Sequence, residues 1–171
     1  DDALIQLVEL DSDGLAHSEK LHLFIEECLG KVSIRASDLN AISVSKGPGS
    51  YTGLRIGVSA AKGLCYGLNI PLIAVDTLTA MANSVVHNVE KGAVLIPMID
   101  ARRIEVFCSI HHKGKEIKTV HSRVLDEEPF DELHSENVYY FGDGAEKAQD
   151  YLNSSWIYLP EPKTSAKNLI P

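Results

Sequence analysis

The stretch VSKGPGSYTGLRIGVSAAKGLCYGL, residues 44–68, constrains the fold of this chain more than any other. A short apolar run meets a turn built on Gly47, Pro48 and Gly49, and a long run of small and apolar residues follows. Ser50 is a favoured helix N-cap, and the spacing of Leu54, Val58, Ala61, Cys65 and Leu68 predicts a helix that stops between Gly67 and Pro71. A strand, a glycine turn and a helix in that order are the repeating parts of an α/β fold.

Such a junction has two uses. Unpaired N–H groups and the positive end of the helix dipole converge there, so Gly47, Pro48, Gly49, Ser50, Tyr51 and Thr52 could cradle a phosphate with Arg55 or Lys62 reaching it. The known fingerprints are not met. A Walker loop ends in G-K-[ST], but Lys46 precedes the glycines; a dinucleotide loop reads G-x-G-x-x-G, but Gly47, Gly49 and Gly53 leave one residue too many. Alternatively, Gly53, Gly57, Ala60 and Gly67 share one side of the helix and let another backbone approach, offsetting the ~1 kcal/mol that each interior glycine costs. Arg55 and Lys62 could equally face solvent.

The rest of the chain reads as two blocks. Residues 3–10 predict a strand and Asp11-Ser12-Asp13-Gly14 a turn. A helix capped by Ser18 follows, with Leu21, Phe24, Ile25, Cys28 and Leu29 on one stripe and Gly30 at its end. Residues 41–45 and 71–78 are strands around the glycine-rich helix, and residues 79–89 look helical. Residues 93–100 and 103–112 then form strands, Lys113-Gly114-Lys115 turns into a strand at 116–125, and residues 138–152 read strand, glycine turn, helix. A short strand, WIYLP, closes the pattern, and the last residues look helical. The expected division is a first lobe at 1–90 and a smaller second lobe at 91–171.

Other chemistry is sparse. A net charge of −8 and no basic stripe argue against unaided nucleic-acid binding. Three cysteines without C-x-x-C spacing read as buried free thiols of a reducing compartment, and with no leader-like or membrane-spanning stretch the expected location is cytoplasmic. The seven histidines show no metal spacing. Ser50 and Thr52 have no neighbouring base, so capping suits them better than nucleophilic attack. Asp100-Ala101-Arg102-Arg103, at a strand end, could place a metal-bound phosphate, dock a partner or only solubilise a hairpin. Gly142-Asp143-Gly144 is a turn of the kind that can cradle an adenosine.

The combination of SVSKGPGSYTGLRIGVSAAKGL, PLIAVDTLTAMA and PMIDARRIEVFCSI resembles the TsaB family, also called YeaZ, over residues 17–150. The resemblance implies an actin-like, Hsp-and-sugar-kinase-like (RNase H-like) α/β fold in two lobes. It implies a non-catalytic subunit that pairs with TsaD, and with the ATPase TsaE, in threonylcarbamoylation of the adenosine beside the tRNA anticodon. Pairing would use residues 17–29 and 51–68, with Leu21, Phe24, Ile25, Cys28, Gly53, Leu54, Gly57, Val58 and Ala61 as contacts. A homodimer is expected in the absence of TsaD, and tRNA contact only through the complex. TsaD-like proteins carry paired metal-binding histidines; the comparable stretch here has only His87, so no metal is expected. The family's first phosphate-loop element would precede Asp1 and its last segment would follow Pro171. Binding of an adenine nucleotide by the loop, Asp100 and Arg102 stays open, and the alternative is a free-standing ATP-binding kinase or hydrolase of the same fold.

Overall fold

The computed structural model describes residues 3–9, 17–126, 129–134, 137–160 and 162–170. It divides into two units, residues 1–75 with 165–171, and residues 76–164. The sequence predicts the division near Glu90. It falls earlier because the helix after residue 76 buries its apolar side within the second unit.

In the first unit, α1 (His17–Lys31) is under way one residue before its expected cap, Ser18. β1 (Ile42–Ser45), α2 (Tyr51–Leu68) and β2 (Leu72–Val75) form a β-α-β crossover, and the two strands pair in parallel with Ile42 opposite Leu72. A parallel pair needs a crossover of this length, and α2 supplies it by packing on β1 and β2. Asn69 ends α2 in the left-handed conformation at φ 54°, returning its N–H to Cys65 and Tyr66. The strand predicted over residues 3–10 is not formed at 3–9, which pair with neither strand of this sheet. A strand persists only where a neighbour takes its N–H and C=O groups. The turn predicted at residues 11–14 lies outside the described residues. A short 3₁₀ turn, Ala166–Leu169, packs on β1.

The second unit is a five-stranded sheet ordered β5-β4-β3-β6-β7. Its strands are β3 (Val94–Asp100), β4 (Glu105–His112), β5 (Lys115–Val124), β6 (Val138–Phe141) and β7 (Ile157–Leu159). β3, β4 and β5 are antiparallel neighbours, while β6 and β7 add in parallel. Lys113 at φ 53° and Gly114 at φ 70° make the tight β4–β5 turn with both residues left-handed, which matches strand twist.

Both faces of β3 are covered, as its continuous apolar run requires. Val94, Ile96 and Met98 join Val106, Cys108, Phe130 and Trp156 on one side. Leu95 and Ile99 join Leu78, Met81, Ala82 and Val85 of α3 (Thr77–Val85) on the other. α3 begins two residues before the predicted helix and stops at Val85, where Asn88 N–H closes a turn on the Val85 carbonyl at 2.8 Å. The helix predicted after Gly144 is instead a 3₁₀ turn, Glu146–Tyr151.

His111 is only 3% exposed on β4, and its Nε2 lies 2.8 Å from Ser109 Oγ. Burial pushes its imidazole down to about 4. The folded state therefore holds His111 neutral while the unfolded chain takes up a proton below about pH 6.5. Stability should fall as pH drops from about 6.5 towards 4, by up to about 3 kcal/mol from this group. Urea unfolding across that window should show the slope, and His111→Gln should flatten it; an equal slope in the variant would assign the effect elsewhere.

Candidate functional site

The glycine loop sits where the sequence places it, between β1 and α2. Gly47 has φ 108°, and a β-carbon there would stand 3.1 Å from Leu54 Cδ1, so this position favours glycine on conformation and space alike. Ser50 caps α2: its Oγ accepts from Gly53 N–H at 3.3 Å, and its carbonyl accepts from Leu54 N–H at 2.8 Å. One of the free first-turn donors that a phosphate would use, Gly53 N–H, is thereby taken by the chain itself. The Arg55 guanidinium lies 3.9 Å from the centre of the Tyr51 ring. Tyr51 and Thr52 are exposed, and Pro48 is half-buried.

α1 packs against α2. Leu21, Phe24, Ile25 and Cys28 of α1 are half-buried, as are Gly53, Leu54, Gly57 and Val58 of α2. Ala61 is 6% exposed and Cys65 8%, so the centre of the α2 stripe is buried. Gly57 differs: a β-carbon there would meet no heavy atom within 4 Å. The layer is filled on one side and open on the other.

A second stripe escaped the sequence reading. Tyr51, Arg55, Lys62 and Tyr66 are all exposed, Tyr66 at 92%, and α2 carries no acidic residue. Their separations of four, seven and four residues at 100° per residue would have placed them on one face.

Asp100 and Arg102 belong to the second unit. Asp100 is exposed, and the Lys147 ammonium beside it, with the Arg102 N–H at 2.8 Å, holds its carboxyl below the usual carboxylate range. Lys147 also donates to the carbonyls of Arg103 at 2.9 Å and Glu105 at 2.7 Å. This lysine ties the β3–β4 turn, in which Arg102 and Arg103 take the left-handed φ values 73° and 49°. Asp100 thus serves a turn lock that the sequence does not reveal, because Lys147 lies 47 residues away. Gly142 and Gly144 also have a structural use: β-carbons there would strike the β3 backbone at Met98 O and Ile99 C.

The thiols offer no nucleophile of note. Cys65 and Cys108 are buried, Cys28 only half-buried, and burial pushes the Cys108 thiol up to about 11. Among the described residues no three His, Cys, Asp or Glu side chains gather as a metal-holding group, and no helix is long and apolar enough to cross a membrane.

A glycine loop feeding a packed two-helix layer, in an α/β chain with a second sheet, defines a class. A family model described as "TsaD: tRNA N6-adenosine threonylcarbamoyltransferase" matches residues 14–167. The chain belongs to this family, on its TsaB (YeaZ) side. It is 35% identical over 95 residues to the tRNA threonylcarbamoyladenosine biosynthesis protein TsaB of Haemophilus influenzae, covering 54% of this chain and 39% of that protein. It is 28% identical over 166 residues to the Escherichia coli TsaB, covering 91% of this chain and 71% of that one. The chain thus spans about two fifths of the length of the first relative. YeaZ from Pseudomonas aeruginosa superposes with a TM-score of 0.76 over 92% of this chain and 76% of its own, at 20% identity. That likeness shows the α/β fold of YeaZ proteins, as expected from the sequence.

Proposed function

We infer that this chain is a non-catalytic partner subunit that pairs through α1 and α2 with a TsaD protein, with TsaE, in threonylcarbamoylation of the adenosine beside the tRNA anticodon. The observation that carries the reading is the half-open α1–α2 layer. Leu21, Phe24, Ile25, Cys28, Leu54 and Val58 are half-buried there, and Gly57 leaves space where a side chain would stand. Partly covered apolar side chains beside an uncovered glycine suit close approach of another helix. Alone, the same layer meets its own copy and gives a homodimer. With a net charge of −8, tRNA is held mainly by the partners.

The rival reading, a free-standing ATP-binding kinase or hydrolase, needs loop amides free for phosphate, and Gly53 N–H is already given to Ser50. Reconstitution of the modification with TsaD and TsaE, with and without this chain, tests the role. Omission should lower the yield of modified nucleoside about tenfold or more. An equal yield without the chain would remove the proposed role.

A further inference from the structure

Where α3 gives way to the turn before β3, the second unit holds a cavity of about 530 Å³. That size suits a small organic ligand. Val86, Val89, Ala93 and Leu95 give it apolar walls, and Lys91 and Lys113 also line it. Ala93 and Leu95 are 4% and 3% exposed, so that wall is a fixed part of the core rather than a loose surface. The two lysines come from different elements, Lys91 from the turn before β3 and Lys113 from the β4–β5 turn. Among the described residues neither takes part in an ion pair.

Glu90 also lines the cavity, and its Oε2 accepts from Asn137 Nδ2 at 3.1 Å. Two ammonium groups and one carboxylate leave a single net positive charge beside an apolar wall. Hydrocarbon gains by leaving water for Val86, Val89 and Leu95, whereas a cation would meet two like charges. A dianion would place its second charge near Glu90. One negative charge on an apolar body satisfies both halves of the site.

We propose that this cavity binds a small apolar monocarboxylate, with its hydrocarbon part against Val86, Val89 and Leu95 and its carboxylate between Lys91 and Lys113. The site is independent of the α1–α2 layer, so its success or failure does not depend on the pairing role. Titration of the protein with octanoate, followed through backbone amide NMR signals, tests it. Signals of Gly92, Ala93 and Gly114 should move along one saturating curve, while octylamine, the same chain with the opposite charge, leaves them in place. The double substitution Lys91→Met and Lys113→Met should weaken octanoate about tenfold without disturbing the signal of Trp156, which belongs to the other core cluster of this unit. Equal shifts with octylamine, unchanged affinity in the double variant, or shifts scattered over the surface would each overturn the assignment.

Discussion

Gly142→Ala should destabilise the second unit by about 3 kcal/mol or more, among the larger effects of any single substitution in this chain. A β-carbon at Gly142 would stand 2.1 Å from Met98 O and 2.8 Å from Met81 Cε. Met81 can swing aside, but a β3 carbonyl cannot. The turn after β6 is drawn onto the end of β3: Gly144 N–H donates to Met98 O at 3.3 Å, and Asp143 Oδ1 accepts from Asp100 N–H at 3.1 Å. The φ of 103° adds conformational strain for any L side chain.

Gly92→Ala separates these two causes. Gly92 has φ 86° but no heavy atom within 4 Å of the added carbon, so it should lose only about 1 kcal/mol. Urea unfolding followed by the fluorescence of Trp156, the single tryptophan, reports both variants from within the same core. Similar losses at the two positions would mean that the close approach to β3 contributes nothing.

The second large effect lies in the α1–α2 layer. At Gly57 an added β-carbon has room in the chain itself, and replacing an interior helical glycine by leucine should raise stability by up to about 1 kcal/mol. In a complex built on that layer the leucine occupies the space meant for the partner's helix. Overpacking of this kind should weaken pairing about tenfold to a hundredfold. Opposite signs for stability and pairing distinguish a contact-face residue from a core residue, whose substitution harms both. A variant that stays folded and pairs as before would mean that the partner meets another face.

The legibility of the sequence followed the range of the interactions involved. α2 was readable because its signals are local: Ser50 before it, apolar residues at helical spacing within it, and a stop between Gly67 and Pro71. The β4–β5 turn was equally plain, since Lys113-Gly114 carries its own conformational preference. Residues 3–9 have strand-like composition but no ladder to join, and composition cannot supply a neighbour. α3 was placed two residues late, and its membership of the second unit depends on Leu95 and Ile99, which lie beyond it in the chain.

The same rule holds at the site. Capping by Ser50 is a three-residue interaction and was expected. The hold of Lys147 on Asp100 and the approach of Gly142 to Met98 join distant segments, and both glycine turn and acidic strand end had invited ligand readings instead. Burial of Ser109, Ile110 and His111 in succession is also non-local. β4 is covered on both faces, and its register with β5 shifts at these residues, so alternation fails there.

The most direct test of the pairing account is the mass, by size-exclusion chromatography with light scattering, of this chain alone and mixed with TsaD from the same source. The account predicts a homodimer that exchanges into a one-to-one heterodimer with TsaD, and weaker pairing in both forms for Gly57→Leu. A monomer whose mass is unchanged by TsaD would contradict it.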